Sequence, residues 1–165
     1  MKKLLLLILS IIPLTSNAEI CPQKELNIGG FSYHFDESTN YAKKYGYNET
    51  NYTLGLTCKL NGLGMFNDDF EIGVVKNSFN ENSFYVAYGI YYPINNSFSI
   101  GLRNIVATGY EEAKHNIDGV LGGPLLSMKI KINETLTLNF SGIPSFQNNN
   151  KKFDGFIYAN LGIKF

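Results

Sequence analysis

Tyr52-Thr53-Leu54-Gly55-Leu56-Thr57-Cys58-Lys59-Leu60 places an apolar residue at every even position and a small or polar one at every odd position. A period of two puts the two sets on opposite faces of an extended strand. The same alternation recurs in Phe70, Ile72 and Val74 against Glu71, Gly73 and Val75, and in Phe98, Ile100 and Leu102 against Ser99, Gly101 and Arg103. It returns in Leu136, Leu138 and Phe140 against Thr137, Asn139 and Ser141. The longest run ends the sequence, with Phe153, Gly155, Ile157, Ala159, Leu161, Ile163 and Phe165 on one face and Asp154, Phe156, Tyr158, Asn160, Gly162 and Lys164 on the other.

Less regular segments around Leu26 to Tyr33, Phe84 to Tyr92 and Val120 to Ile130 bring the strand count to eight. Short turns at Pro93 to Asn96 and Lys131 to Glu134 lie on one side. Longer loops at Phe35 to Asn51, Thr108 to Gly119 and Ser145 to Lys152 lie on the other. An even count with this asymmetry predicts an all-β fold, an eight-stranded antiparallel transmembrane β-barrel of the outer membrane. Half-buried strands of a soluble lipocalin-like protein alternate too. The difference lies in the second face, where Gly, Ser, Thr, Asn, Glu and Arg recur in place of the Val or Leu a soluble core needs. In a bilayer no strand edge stays unpaired, so the sheet is expected to close on itself. Arg103, the only arginine, falls on this inner face, where a buried charge needs a partner such as Glu71.

Lys2 and Lys3, the apolar run Leu4 to Leu14 and the small residues of Ser16-Asn17-Ala18 form the layout of a secretory signal peptide over residues 1–18. The barrel domain then covers 19–165, beginning near Glu19, in the outer membrane of a Gram-negative bacterium. The apolar run is shorter than the roughly 20 residues a spanning helix needs. Ala18-Glu19-Ile20 lacks the small-residue pattern that would make Cys21 a lipidation site. Fourteen basic and 14 acidic residues argue against nucleic acid as a partner, since phosphate binding needs clustered Lys and Arg. Two cysteines in an exported chain allow one disulfide, Cys21 to Cys58, or two free thiols with Cys58 packed on a strand face. Nothing in their spacing suggests a metal site.

With both termini on the periplasmic side, His34 falls at the top of the first strand and Asn77 and Ser78 at the top of the third. Imidazole and hydroxyl then meet at the outer rim although they are distant in sequence. That is the minimum for acyl chemistry, because a neutral serine needs a base to take its proton. Simple alternation gives Ser78 the lipid-facing parity of Phe70 and Val74, so the site requires the chain to have left the ladder there. His115, in a polar loop with Glu111, Glu112 and Lys114, reads as a solvated side chain.

His34, Tyr47-Asn48-Glu49, Lys76-Asn77-Ser78-Phe79-Asn80 and Ala87-Tyr88-Gly89 stand in the order of motifs found in the lipid A palmitoyltransferases (PagP). The spacings from His34 to the triplet and from Ser78 to Gly89 match as well. The chain resembles that family also at Ile100-Gly101-Leu102, Pro124-Leu125-Leu126-Ser127, Ile143-Pro144 and the terminal Phe165, which covers nearly the whole mature chain with low identity between motifs. The resemblance implies an outer-membrane acyltransferase that moves a palmitoyl or similar chain from a phospholipid donor to lipid A, as a monomer and with no cofactor or metal. It makes His34, Asn77 and Ser78 catalytic candidates, with Asn77 standing where the family has aspartate. It gives Gly89 the place of a glycine whose missing side chain sets acyl length, and Pro124 and Pro144, in strands six and seven, the places of prolines flanking a lateral opening. Three departures stand out: Asn77 carries no charge, too few residues precede His34 for the family's amino-terminal helix, and Asn51 replaces a proline beside a second lateral opening. A non-catalytic barrel of the same fold and a lipid A esterase are the alternatives.

Overall fold

The computed structural model describes residues 21–35, 40–113, 116–148, 151–153 and 155–165. The signal-peptide segment 1–18 and His115 lie outside the described residues. Eight strands form the wall: β1 (Gln23–His34), β2 (Thr50–Lys59), β3 (Asn67–Lys76), β4 (Asn82–Asn95), β5 (Phe98–Ala107), β6 (Leu121–Lys131), β7 (Leu136–Ile143) and β10 (Phe156–Lys164). Each pairs antiparallel with its sequence neighbours in the wall, and β1 pairs with β10 to close the barrel. A short hairpin of β8 (Phe146–Asn148) and β9 (Lys151–Phe153) is inserted between β7 and β10, and helix α1 (Asn40–Tyr45) lies in the β1–β2 connection.

The faces of the wall are inverted relative to a soluble protein. Leu54, Leu56, Ile72, Val74, Leu102, Val106 and Leu126 are exposed on the outside, whereas Glu25, Asn27, Thr57, Glu71, Arg103, Asn139 and Asn160 are buried in the lumen. Exposed aromatic residues band both ends of the outer face, with Tyr33, Tyr52 and Phe84 toward the loops and Phe66, Tyr92 and Phe165 toward the turns. An apolar belt between aromatic girdles around a polar interior is the arrangement a bilayer selects. The turns are held by side chains that replace backbone partners. Asn133 Oδ1 accepts from the N–H groups of Thr135 (2.9 Å) and Leu136 (2.8 Å), and Asn95 Oδ1 accepts from Ser97 N–H (2.8 Å). A disulfide joins Cys21 to Cys58, Cα atoms 5.2 Å apart, and ties the start of the chain to β2. Of the two cysteine states left open by the sequence, the paired one is present.

One local irregularity decides the site. Along β1, Glu25 and Asn27 face the lumen from odd positions, yet Ser32 is buried and His34 lines the interior from even ones. The parity changes at a bulge, where Ile28 pairs with Leu161 but Phe31 pairs with Ala159. Gly29 (φ 74°) and Gly30 (φ 147°) form it, and any Cβ on Gly30 would collide with the Asn51 carbonyl. Without that extra residue His34 would face lipid.

The lumen is crossed by a continuous hydrogen-bonded network. Arg103 Nη2 lies 2.6 Å from Glu71 Oε2, and Glu71 also accepts from Tyr85 O–H and from Thr57 Oγ1 at 2.9 Å. Thr57 in turn accepts from Asn27 Nδ2 (2.6 Å), whose Oδ1 accepts from Asn139 (3.2 Å). Lys59 pairs with Glu25 at 3.1 Å, and Lys129 pairs with Asp69. Gly55 and Gly73 face one another across β2 and β3 and leave the space that the Tyr85 hydroxyl fills. The Arg103–Glu71 pairing expected from the sequence is thus present, with both side chains buried.

Removing one member of a buried ion pair strands the other charge, which costs about 3–5 kcal/mol. Arg103→Met should therefore destabilise the barrel by that order in urea unfolding from phospholipid vesicles. Adding Glu71→Gln keeps an acceptor for Tyr85 and Thr57 without the charge and should recover most of the loss. Equal stability of the two variants would show that the ion pair is not what holds this layer.

Candidate functional site

Above the Glu71–Arg103 layer the lumen opens into a cavity of about 370 Å³. Its walls are largely apolar, formed by Val75, Ile105, Ala107, Leu121, Leu125 and Ile143, and its floor by Glu71, Tyr85, Arg103 and Asn160. The volume lies within the roughly 300–1,000 Å³ of small-molecule sites. Small barrels of eight strands usually fill their interior with side chains, so an apolar-walled space here is a specific feature.

His34, Asn77 and Ser78 all line this cavity at the loop end. The imidazole of His34 stacks on Tyr47, ring centroids 4.1 Å apart, and lies 5.8 Å from the ring of Phe156. Tyr47 meets Phe79 edge-on at 5.6 Å, and Phe79 meets Tyr110 at 6.0 Å. These rings form an arch across the mouth. Burial within the arch, with Tyr158 nearby, pushes the Tyr110 phenol up to about 12.

β3 ends at Lys76, so Ser78 belongs to the 77–81 loop rather than to the ladder. That resolves the parity conflict: the chain has turned before Ser78, and the residue faces the cavity instead of lipid. Asn77 builds the turn. Its Oδ1 accepts from Phe79 N–H and Glu81 N–H, both at 2.9 Å, while its Nδ2 donates to Ser83 Oγ (2.9 Å) and to the Gly109 carbonyl. Two of these bonds close the 77–81 turn itself, one ties it to β4 and one to the loop after β5. The Tyr47-Asn48-Glu49 triplet works in the same way: Asn48 N–H donates to the Ser78 carbonyl (2.8 Å), Asn48 Nδ2 to the Asn77 carbonyl (3.1 Å), and Ser32 N–H to the Glu49 carbonyl (2.8 Å).

Gly89 is not part of this cavity. It lies on β4 opposite Asp69 and Arg103, and a Cβ there would overlap the ring of Tyr91, which lines a separate polar cavity at the turn end. The space left by its missing side chain is taken by Tyr91, so the floor of the upper cavity is set by Glu71, Tyr85 and Arg103 instead.

Pro124 lines the cavity wall from β6, in the strand expected for it. Pro144 lies one residue beyond the end of β7, not within the strand. The β6/β7 ladder begins only at Leu126↔Gly142, so among the described residues Leu121–Leu125 have ladder partners on β5 alone. The seam between β6 and β7 is therefore parted beside the cavity. The β1/β2 seam is not: its ladder continues to Phe31↔Thr50, and Asn51 Nδ2 donates to the carbonyls of Lys76 (3.0 Å) and Asn48 (3.3 Å). The ladder is what keeps that seam closed, while the Asn51 amide ties the top of β2 to β3 and to the preceding turn.

No family model matches the chain, and no curated protein matches it. Among solved structures it is similar to a chain from the de novo design of transmembrane β-barrels, at 8% identity over 87% of this chain and 95% of that one, with a TM-score of 0.53. It also aligns with the outer membrane protein Ail of Yersinia pestis in a phospholipid nanodisc, at 11% identity over 87% and 99% of the two chains and a TM-score of 0.43. The crystal structure of Ail, the attachment invasion locus protein, gives 12% identity over 87% and 98% and a TM-score of 0.41. At such identities the likeness to the designed barrel shows the fold alone: a closed, eight-stranded antiparallel β-barrel of transmembrane type.

Asn77→Asp removes two donors and sets a carboxylate against the Gly109 carbonyl. Leaving those groups unmatched costs about 1–3 kcal/mol, so the variant should be less stable than wild type and more open to proteolysis at residues 77–81. Gly89→Met should disturb Tyr91 and the turn-end lumen while leaving ligand binding in the upper cavity unchanged, checked by titration with a fluorescent fatty acid.

Proposed function

We propose that this chain is an outer-membrane acyltransferase that moves a palmitoyl or similar chain from a phospholipid to lipid A. The observation that carries the reading is the apolar cavity in the upper lumen, which adjoins the parted β6/β7 seam on its side and His34 and Ser78 at its rim. A lumen that is elsewhere polar has no need of such walls, whereas an acyl chain does. Pro124 and Pro144 flank the route by which the chain would enter from the bilayer.

In this reading the donor ester sits at the rim with its chain in the cavity. His34 takes the proton from a lipid A hydroxyl, whose oxygen attacks the ester carbonyl. A new acyl–oxygen bond forms, the bond to the glycerol oxygen breaks, and that oxygen leaves as the lysophospholipid with the proton from His34. Ser78 supplies a hydroxyl at the same rim to hold the charge that develops on the carbonyl oxygen. Asn77 positions Ser78 by holding the turn. The motif likeness to the lipid A palmitoyltransferases supports the assignment. Gly89 has no part in it.

A non-catalytic small barrel of the outer membrane is the second reading, and Asn77 is what favours it. Its side chain is used entirely in shaping the 77–81 turn and tying it to β4 and Gly109, and no carboxylate stands in its place to orient an imidazolium.

Mass spectrometry of lipid A from cells with and without the protein separates the two. Acyl transfer predicts an additional acyl chain that is lost in His34→Ala and in Ser78→Ala, while both variants keep the heat-modifiable gel mobility of a folded barrel. Identical lipid A in all four cultures would leave the non-catalytic barrel as the account.

A further inference from the structure

The hairpin β8–β9 continues the β7–β10 hairpin in a single register. Ile143 pairs with Phe156 at the top of the wall, and three residues further along each limb Phe146 pairs with Phe153. β8 is therefore β7 resumed after the interruption at Pro144-Ser145. Carrying the β6/β7 register upward from Leu126↔Gly142 sets Pro124 opposite Pro144, Gly122 opposite Phe146 and Leu121 opposite Gln147.

Ladder alternation shows what those rungs would do. Lys131 N–H donates to the Ser97 carbonyl across β5/β6 (2.8 Å), and Lys164 N–H donates to the Thr135 carbonyl across β10/β7 (2.8 Å). Antiparallel pairing turns alternate residues toward alternate neighbours. Counting along β6 from Lys131, the backbone N and C=O of Pro124 and Gly122 point to the β7 side. Counting along β7 from Thr135, those of Pro144 and Phe146 point to the β6 side. The rung at which the seam parts is thus one where each strand should donate an N–H to the other, and both residues are proline, which has none. In the continued register, Gly122 and Phe146 would present complementary N–H and C=O groups toward each other. Gly122 and Pro124 share the outward parity of Leu126 at the edge of the cavity, and neither carries a bulky side chain to obstruct approach.

We infer that the β8–β9 hairpin is a strap for the lateral opening, which closes by adding β8 to the free edge of β6 in the register Gly122↔Phe146. An unpaired strand edge beside lipid is unfavourable, and an isolated two-stranded hairpin is only marginally stable, so each supplies what the other lacks. The proline rung keeps the gain small. Closure completes the one narrow hydrogen-bonded pair at Gly122↔Phe146, so the strap alternates between closed and open rather than sealing the wall. This goes beyond the acyltransferase reading and holds for any lipid, or none, in the cavity.

Cysteine pairs test it in protein folded into phospholipid vesicles and treated with a membrane-permeable oxidant. Gly122→Cys/Phe146→Cys and, on the next rung, Leu121→Cys/Gln147→Cys should both cross-link, as should Met128→Cys/Phe140→Cys in the closed part of the seam. Met128→Cys/Phe146→Cys, out of register by six residues on β6, should not, because disulfides need Cα atoms within about 7 Å. Adding Pro124→Ala and Pro144→Ala restores both donors and should raise the cross-linked fraction of the first two pairs. Cross-linking of both in-register pairs no faster than the out-of-register pair, while Met128→Cys/Phe140→Cys reacts, would overturn the strap. An unchanged yield after the alanine substitutions would overturn the proline rung as its hinge. Cross-linking reads the seam and lipid A mass spectrometry reads the chemistry, so failure of the strap and failure of the acyl-transfer reading are separate results.

Discussion

Every backbone N–H and C=O that lies at bilayer depth must find its partner within the protein, because hydrocarbon offers none. This constraint closes β1 onto β10, so that every strand of the wall has a neighbour on both sides. It also makes the interruptions informative. Seven of the eight seams run their ladders to, or within a few residues of, the loop end, and the β6/β7 seam parts earlier at a rung occupied by two prolines. Where a soluble sheet would tolerate such a gap at a wet edge, here the unpaired stretch lies beside both lipid and the lumen. The parted seam is thus the consequence of two particular residues acting on a general rule.

Closure also dictates the interior. Alternation gives each strand one lipid-facing set and one inward set, and a barrel of eight strands brings the inward sets within hydrogen-bonding reach of one another. Glu71 and Arg103 would be ruinous alone, so they are met by each other and by Tyr85 and Thr57. Their network divides the lumen, with an apolar-walled cavity on the loop side and a polar cavity lined by Lys59, Asp69, Tyr91 and Lys129 on the turn side. The layer works as a partition. It sets the depth of the upper cavity and leaves Gly89 beneath it.

The period of two made the barrel legible, because lipid outside and polar groups inside imprint opposite chemistries on successive residues. The ion pair of Arg103 with Glu71 followed from the same parity. What escaped were features too short for periodicity to register. Helix α1 and the strands β8 and β9 span six and three residues each. The bulge at Gly29-Gly30 left only two adjacent glycines as its signal, yet it turns His34 inward. Ser78 carried the wrong parity for a lumen residue, and only the turn built by Asn77 resolves the conflict. For Gly89, a sequence match conveyed position but not the neighbour: Tyr91, two residues away on the same face, fills the space that the glycine leaves.

The rim motifs acquire a physical meaning that differs from their first reading. Tyr47, Asn48, Glu49 and Asn77 are joined to β1, to the 77–81 loop and to Gly109 by ring stacking and by hydrogen bonds that run largely through backbone groups. Such residues preserve the shape of the rim whether or not a reaction occurs there. A resemblance carried by them argues for the same architecture more strongly than for the same chemistry. The chemical case rests instead on the three features that architecture alone does not require: an imidazole turned inward by a bulge, a hydroxyl carried past the end of its strand, and apolar walls at the one end of a polar lumen where the barrel seam is parted.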